Sequence, residues 1–440
     1  MLVVKEQFLG KLLVKKEQLS MNRDILLEIV LDQKESFEKK NNLIDRDILL
    51  EKYLSTQQVV IISGVRRCGK SSLLAIIKNK LHLGVEDYCY LNLDDERIIA
   101  DVSILDEMYS LHLELYKKEP VFFFDEIQTV SNWEKFVNRM YEKGRKIFVT
   151  GSNAKLLSSE ISTSLTGRNK VIELYPFSFK EYLRYIKHNY NIKVLTTKQK
   201  ALLQNDFNAY FEYGGFPLVI KENDLDLMNG WFQDVIYRDI IARYKLTQVN
   251  EIKQIALYLL SNVSKLFSYS TLKTISGIKS DSSIKNYLQY YEKSYLFYYL
   301  SKFDYSVKKQ MMNSKKVYAI DNSLVNKLGF GFSANKGRML ENIVFIELLR
   351  RKKEVYYFSE KNECDFLIKE GLQIVEAIQV VYGLNKENFE REFEGLKEAM
   401  DKFAIPQGLF IVNDSTDVVI ERDDIKIVSI SKWLLDFKVQ

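Results

Sequence analysis

The chain has 440 residues, of which 46% are hydrophobic and 13% aromatic, and only four are proline. This composition excludes a disordered chain, and the length is too great for one ordinary hydrophobic core, so we expect a globular protein of two to four domains. The 64 Lys and Arg residues and the 59 Asp and Glu residues leave a net charge of +5, which neither requires nor excludes a polyanionic partner.

The cysteines and the hydropathy pattern bear on the cellular location of the protein. Cys68, Cys89 and Cys364 are widely scattered and form no CxxC pair, which argues against a disulfide framework and against a zinc site. No window offers about 18 uncharged apolar residues, so we expect neither secretion nor a membrane span. Both observations favour a reducing cytoplasm.

The first part of the chain has the pattern of an α/β fold. A leader with apolar residues at helical spacing ends in a polar run at residue 42. Short apolar or alternating runs, separated by helix-like stretches, then predict five strands. These strands lie at residues 59–63, 88–93, 121–124, 146–150 and 171–174. The alternation predicts a parallel sheet with helices on its faces.

The rest of the chain has two further patterns. Residues from about 175 to 305 are mostly helical, which indicates a helical lid. Within and beyond that stretch, three helices and a β-ribbon over residues 250–320 resemble a winged helix. After Gly337 a helix is followed by several strands and an amphipathic helix, which predicts a second α/β domain.

The segment GVRRCGKSS lies between the first predicted strand and a helix. It matches GxxxxGK[ST] in full, in the context that a phosphate-binding loop requires. Its glycines let backbone N–H groups curl around phosphate oxygens. We expect Lys70 to reach the β- and γ-phosphates of ATP and the Ser71 hydroxyl to hold Mg²⁺. The predicted nucleotide-binding residues are Gly64, Val65, Arg66, Arg67, Cys68, Gly69, Lys70, Ser71 and Ser72.

Two acids end the third predicted strand. Asp125 and Glu126 follow the buried-type run VFFF, where a Walker B strand is expected. Asp125 can hold the Mg²⁺ shell, and Glu126 can orient or deprotonate the attacking water. The pair therefore favours hydrolysis over binding alone.

A γ-phosphate sensor is expected at the end of the fourth strand. Asn153 is our first candidate there, and Ser152 and Thr150 are alternatives, although such residues are also common in ordinary polar turns. Arg168, in a polar loop after LTG, is the leading arginine finger for the phosphates of the same subunit or a neighbouring one. Arg66, Arg67 and Arg238 compete for that role.

Together these motifs resemble a large family of bacterial and archaeal AAA+ ATPases. The shared motifs read GVRRCGKSSLL, VFFFDEIQ, TGSN, LTGR, ELYPFSFKEYL, YGGFP and YRDI. The resemblance implies a P-loop ATPase domain at residues 43–180, after the leader at 1–42. It also implies a helical lid at 181–245, a winged-helix-like domain at 246–325 and a C-terminal domain at 326–440.

In this family the C-terminal domain looks like a restriction-endonuclease-type fold. The resemblance implies that Glu341 and Asp365 occupy its carboxylate positions. Gln379 and Val381 stand where a glutamate and a lysine would be, and neither can hold a metal or polarise a phosphate as those residues do. Strand alternation places Glu376 on the opposite face. We therefore expect a degenerate domain without nuclease activity.

Nucleic-acid binding is a further hypothesis. If residues 250–320 form a winged helix, polar and basic side chains of the recognition helix and the following loop suit phosphate and base-edge contacts with double-stranded DNA. These residues are Ser282, Ser283, Lys285, Asn286, Gln289, Lys308, Lys309, Lys315 and Lys316. The alternative is a packing module with solvated lysines.

Four functions remain open from the sequence. The first is an ATPase that uses Mg²⁺ and ATP and couples hydrolysis to conformational change, acting on DNA or on a protein partner. The second is a slow nucleotide switch that regulates assembly, and the third is an ATP-gated, metal-dependent nuclease; a kinase is a remote fourth. A homo-oligomer that forms with nucleotide would place Arg168 at a subunit boundary.

Overall fold

The computed structural model describes residues 22–152, 165–330, 336–415 and 423–436. Its internal contacts divide the chain into two compact units. The first unit comprises the residues up to Leu174, except Ile44–Ile48 and Val65–Cys68. Those two segments belong with Tyr175 and the following residues to the second unit. Among the described residues, no helix combines the length and the apolar character that crossing a membrane requires.

The first unit is built on a parallel sheet. Its strands are β1 (Val59–Gly64), β2 (Tyr88–Asn92), β3 (Val121–Asp125), β4 (Ile147–Gly151) and β5 (Asn169–Leu174). They lie in the order β2-β3-β4-β1-β5, and every neighbouring pair is parallel. Its helices are α1 (Arg23–Glu38), α2 (Glu51–Leu54), α3 (Lys70–Lys80), α4 (Ser103–Tyr116) and α5 (Trp133–Glu142). The predicted α/β fold and its five strands are confirmed.

Aromatic residues of β3 pack on both faces of this sheet. On one face the ring of Phe122 lies 5.8 Å from that of Phe136 of α5 in an edge-on contact. On the other face Phe123 stacks on Phe148 of β4, with 5.1 Å between ring centroids. Because helices cover both faces, the strands are continuous apolar runs rather than alternating ones. Helix α1 contributes buried Leu26 and Ile29, so the helix of the predicted leader packs in this core.

The second unit begins with helices. They are α6 (Phe179–Tyr185), α7 (Thr197–Tyr213), α8 (Pro217–Glu222) and α9 (Leu227–Asp234). Helix α9 continues as a π-helix over Val235–Ala242. Capping boxes begin α6 at Ser178 and α7 at Thr196, where the side chain accepts the N–H of the third helical residue. Each cap satisfies N–H groups that have no partner within the helix.

A small antiparallel sheet and its helices follow. The helices are α10 (Val249–Ser261), α11 (Tyr269–Ser276), α12 (Asp281–Lys293) and α13 (Val307–Met312). The strands β6 (Leu266–Phe267), β7 (Phe297–Ser301) and β8 (Lys315–Ala319) form a sheet in the order β6-β8-β7. Helix α13 lies in the connection between β7 and β8, which the sequence pattern predicts to be a loop.

The C-terminal part of the second unit is a mixed sheet with helices. After α14 (Asn322–Leu328) and α15 (Lys336–Arg350) come β9 (Glu354–Ser359), β10 (Glu363–Glu370) and β11 (Gln373–Leu384). They are followed by α16 (Lys386–Phe403), β12 (Gly408–Ser415), β13 (Ile425–Ser429) and α17 (Ile430–Leu435). The strand order is β13-β12-β11-β10-β9. The pairs among β9, β10 and β11 are antiparallel, and the pairs among β11, β12 and β13 are parallel.

Candidate functional site

The loop after β1 has the backbone form of an anion site. Arg67 has φ 65° and Gly69 has φ 102°, so both take the left-handed conformation. Alternation of this kind turns successive N–H groups toward one side of the chain. Gly69 is the cap of α3 and offers no side chain to the first N–H groups of that helix, which begins at Lys70. Those N–H groups and the helix dipole together favour a bound anion.

The acid pair lies beside Lys70. The Nζ of Lys70 is 3.4 Å from Oε1 of Glu126 and donates to the carbonyl oxygen of Gly64 at 3.2 Å. Only 4% of the Lys70 side chain is exposed. Residues that the sequence placed in two separate motifs therefore meet at the carboxyl edge of the parallel sheet.

Thr150 connects the two acids. Its hydroxyl donates to Oδ1 of Asp125 and accepts the backbone N–H of Glu126 at 3.0 Å. The Tyr90 hydroxyl donates to Oδ2 of Asp125 at 3.2 Å. Burial and the neighbouring Asp125 raise the pKa of Tyr90, so this phenol stays a donor at neutral pH. The buried Asp125 thus has the hydrogen-bond donors that a buried carboxylate needs.

The Glu126 carboxylate is held in one orientation. Glu126 has φ 53°, an uncommon conformation for a residue with a side chain. Nε2 of Gln128 donates to Oε2 of Glu126 at 2.6 Å and to Oγ of Ser152 at 3.4 Å. With Lys70 near one carboxylate oxygen and Gln128 at the other, the group is positioned before any ligand arrives. Gln128 is the last residue of the DEIQ motif, and nothing in the local sequence pattern predicts this role for it.

The structure places two of the three candidates for the γ-phosphate sensor. Thr150 and Ser152 lie with the acid pair, as the contacts above describe. Asn153, our first choice from the sequence, lies outside the described residues.

Arg168 lies at the other edge of the sheet. Its carbonyl accepts the N–H of Val59 at the start of β1, and its guanidinium donates to Asn138 and Glu142 of α5. Because the strands are parallel, this amino edge is opposite the edge that carries Lys70. Arg168 therefore does not join the site of its own chain. An arginine finger at this position requires a neighbouring copy and stays a prediction.

Comparisons with known proteins divide the chain into three matched segments. The model of an AAA domain matches residues 56–183. Two domains of unknown function follow: DUF8612 at residues 204–336 and DUF4143 at residues 336–433. The chain is 37% identical over 432 residues to the uncharacterized protein MJ1544 of Methanocaldococcus jannaschii, covering 93% of this chain and 95% of that protein. The chain belongs to the AAA P-loop ATPase family.

Other relatives extend over most of this AAA ATPase. An uncharacterized protein of Haemophilus influenzae is 30% identical over 411 residues, covering 89% of the chain and 99% of that protein. Among solved structures, the Walker-type ATPase paby2304 of Pyrococcus abyssi is 16% identical and has a TM-score of 0.41. That match covers 63% of this chain and 93% of the other.

A lysine that the sequence did not single out lies beside the site. Nζ of Lys40 donates to the carbonyl oxygen of Ser71 at 3.3 Å and lies 6.0 Å from the centroid of the Tyr90 ring. Burial lowers the pKa of Lys40, and the charge of Asp125 opposes that shift. This amine adds positive charge near the predicted magnesium ligands of the AAA ATPase. A lone lysine in a polar run carries no sequence signal for such a role.

The two arginines of the loop are paired with acids in the second unit. Nε and Nη2 of Arg66 donate to the two carboxylate oxygens of Asp239, at 3.2 and 3.1 Å. Nη2 of Arg67 donates to Asp234 at 2.8 Å, and the indole N–H of Trp231 donates to the carbonyl of Arg66 at 2.9 Å. Bidentate pairing fixes a guanidinium strongly. In this state both guanidinium groups are paired with aspartates, so neither is available as an arginine finger. Asp239 of the YRDI motif has a structural role as the partner of Arg66.

Arg46 holds the carbonyl at the end of the same loop segment. Its Nη1 donates to the carbonyl of Cys68 at 3.0 Å and its Nη2 to that of Tyr175 at 2.6 Å. Its Nε lies 3.1 Å from Oε2 of Glu181, the acid of the α6 capping box. All these groups belong to the second unit. The loop of this AAA ATPase thus contributes residues to both units.

Proposed function

We propose that the protein binds and hydrolyses ATP and couples its nucleotide state to conformational change. The observation that carries this proposal is the cluster of Lys70, Asp125, Glu126 and Thr150 at the carboxyl edge of the sheet, next to the anion-binding loop. A cation for the phosphates, a buried acid and a second acid oriented by fixed partners are the groups that phosphoryl transfer to water requires.

Each residue has a distinct proposed task. Backbone N–H groups of the loop hold the phosphates, and Lys70 exchanges its contact with Glu126 for the β- and γ-phosphate oxygens. Glu126, then released from that contact, orients the attacking water and accepts its proton. Thr150 keeps the two acids in register.

The donor set suits magnesium. Hydroxyl and carboxylate oxygens are the ligands that Mg²⁺ prefers, and Ser71 and Asp125 would supply one of each. When bound, Mg²⁺ neutralises charge on the phosphate oxygens. Asp125 is buried and hydrogen-bonded by Thr150 and Tyr90, so its carboxylate is held in place for this task.

The position of the loop supports coupling to conformational change. Lys70 and Ser71 lie in the first unit, whereas Arg66, Arg67 and the Cys68 carbonyl make their contacts with residues of the second. A change in the loop on nucleotide binding would alter the contacts of Arg66, Arg67 and the Cys68 carbonyl. Such a coupling requires the nucleotide to bind one conformation of the protein more tightly than another. The arginine–aspartate pairs are contacts that can be present in one conformation and absent in the other.

Phosphate release from ATP tests the proposal. We expect steady turnover with Mg²⁺ and ATP, loss of turnover with EDTA, and at least about a tenfold loss of ATP affinity in Lys70→Ala, because a charge-assisted contact is removed. Lys80→Ala, at the other end of α3, is the matched control and should behave as wild type. Tight ATP binding without turnover would instead favour the slow nucleotide switch.

A second proposal is that the small antiparallel sheet and its helices form a winged helix that contacts double-stranded DNA. The three helices α10, α11 and α12 together with the antiparallel strands β6, β7 and β8 support this arrangement. Lys308 and Lys309 of α13 are exposed, as are Lys285 and Gln289 of α12. Lys316, which the sequence included in this set, is buried and paired with carboxylates, so its predicted DNA contact is wrong.

Binding of a fluorescent DNA duplex over a range of salt concentrations tests this second proposal. We expect the slope of log affinity against log salt to fall by about 1.8 in Lys308→Ala/Lys309→Ala, since each lysine that neutralises a phosphate contributes about 0.9. The control is Lys198→Ala/Lys200→Ala, which removes two exposed lysines of α7 and should leave the slope unchanged. Absent or salt-insensitive binding would favour a protein partner instead.

A further inference from the structure

A lysine ammonium lies at the point where three carboxylates of the C-terminal domain converge. Nζ of Lys316 is 3.0 Å from Oε1 of Glu341, 3.1 Å from Oδ1 of Asp365 and 2.7 Å from Oε1 of Glu363. Only 2% of the Lys316 side chain is exposed. Glu341 and Asp365 are also buried, and Glu363 is partly exposed. We refer to these four residues as the Lys316 cluster.

Hydrogen bonds hold the carboxylates of the cluster in place. The Tyr318 hydroxyl donates to Oε1 of Glu341 at 2.6 Å. The backbone N–H of Val380 donates to Oδ2 of Asp365 at 3.0 Å. Gln379 is neutral and adds no charge to the cluster. Its Oε1 accepts the N–H of Asp365 at 3.2 Å, and its amide donates to Glu392 at 2.8 Å. The oxygens around Lys316 are therefore preorganised rather than gathered by a mobile lysine.

The charges of the cluster require a cation at this place. Burial alone would lower the pKa of Lys316, but Glu341, Asp365 and Glu363 outweigh it and raise that pKa, so the ammonium stays charged. Burial and the neighbouring Asp365 raise the pKa of Glu341 to about 8, and the charge of Lys316 and the hydrogen bond from Tyr318 oppose that rise. Removal of Lys316 would leave buried negative charge without a partner.

Oxygens that converge from three carboxylates are also the ligands of divalent cations. We propose that the Lys316 ammonium is the built-in cation of this cluster and occupies the position that a divalent metal would otherwise take. In the described parts of the chain, no group of three or more His, Cys, Asp or Glu side chains is arranged to hold a metal ion.

The lysine also joins two parts of the second unit. Lys316 comes from β8 of the small sheet, whereas Glu341 comes from α15 and the other two acids from β10 of the mixed sheet. Because the cation is a lysine side chain, this junction forms without a bound metal ion. In this arrangement Glu341 and Asp365 serve a structural junction, and Gln379 stands beside Asp365 as a neutral hydrogen-bond acceptor.

Manganese binding to the nucleotide-free protein tests the proposal. Wild type should give no Mn²⁺-dependent rise in thermal midpoint and no cleavage of duplex DNA. Lys316→Ala should have a lowered midpoint in EDTA that Mn²⁺ raises by at least about 3 °C, because a ligand that binds only the folded state stabilises it. The rise should vanish in Lys316→Ala/Asp365→Asn. In a second variant, Lys316→Met/Glu341→Gln, one charge of each sign is removed and the fold should persist without Mn²⁺.

Two results would overturn the proposal. One is Mn²⁺ binding or DNA cleavage by wild type that Asp365→Asn abolishes, since the cluster would then hold a metal beside Lys316. The other is a folded Lys316→Ala protein whose midpoint Mn²⁺ does not change. If Lys316→Ala does not fold in EDTA, recovery of soluble protein with Mn²⁺ supports the proposal, and failure of that recovery contradicts it.

Discussion

Replacing Glu126 with glutamine should lower the rate of ATP turnover by about 10²- to 10⁴-fold while ATP still binds, because removal of a positioned general base has an effect of that size. The amide is nearly isosteric and can still accept from Gln128, but it cannot take a proton from water. The loss should therefore appear in kcat rather than in ATP affinity. Phosphate release at saturating ATP and equilibrium binding of a fluorescent ATP analogue measure the two quantities.

The matched control for this prediction is Glu119→Gln. Glu119 lies just before β3, at the end of the strand opposite Glu126, and its carboxylate pairs with Arg145. Glu119 is exposed and Arg145 is partly so, and a surface pair of this kind contributes little, so we expect wild-type turnover and stability. If Glu126→Gln hydrolyses ATP as fast as wild type, the role of Glu126 as base is wrong. If it loses ATP binding as well, the acid serves the architecture of the site rather than the chemistry.

The strands of the first unit were predicted well, and the phosphate loop could be proposed, because both depend on local features. Buried parallel strands are short apolar runs bounded by turn residues, and all five in the first unit appeared where expected. The loop is one contiguous motif, so its residues needed no tertiary information. Asp125 and Glu126 followed from their position at a strand end, since parallel strands end at a common edge.

The partners of these residues could not be predicted because they come from distant segments. Arg46 meets Glu181 and the Cys68 carbonyl only after the chain folds, and Arg66 meets Asp239 in the same way. Lys316 appeared to be a surface lysine beside Lys315, yet strand alternation turns it inward to Glu341. The register that decides which of two adjacent lysines is buried depends on sheet pairing, which the local pattern does not contain.

The two glycines of the YGGFP motif also have tertiary contacts that the sequence does not predict. A side chain on Gly214 would collide with the carboxylate of Asp321, and one on Gly215 with the carbonyl of Phe177. The N–H of Gly215 donates to Asp321 at 2.7 Å, and its carbonyl accepts from the N–H of Phe177 at 2.7 Å. In the sequence these glycines appear only as part of a shared motif. Glycine is required at these two positions because two backbone segments and one buried acid approach each other closely there. That approach can be seen only in the folded structure.

The second large effect is expected at Arg46. Replacement with methionine should lower the free energy of unfolding of the second unit by about 3–5 kcal/mol, because it leaves the buried Glu181 without its guanidinium. Only 4% of the Arg46 side chain and 3% of that of Glu181 are exposed. The change also removes the donors to the carbonyls of Cys68 and Tyr175. Urea unfolding followed by circular dichroism measures the loss.

Two further variants separate the buried pair from general damage. Lys221→Met removes a cation of α8 whose partner is Glu222. Both side chains are largely exposed, at 66% and 49%, so the free energy of unfolding should stay close to that of wild type. Arg46→Met/Glu181→Gln should recover part of the loss, since no buried charge is then left without a partner. An equal loss in the single and double variants would show that packing, rather than the charge on Glu181, accounts for the effect.

Acid should reduce the difference between wild type and Arg46→Met. Burial opposes ionisation of Glu181, but Arg46 and Arg350 overcome it and lower the pKa of that carboxyl below its ordinary value of 4.5. A carboxyl with a lowered folded-state pKa contributes stability that is present above the unfolded pKa and lost as pH falls through the folded one. The stability gap should therefore be full at neutral pH and narrow below about pH 4.5. A gap that is constant down to pH 3 would mean that Arg46 acts through its backbone carbonyl contacts alone.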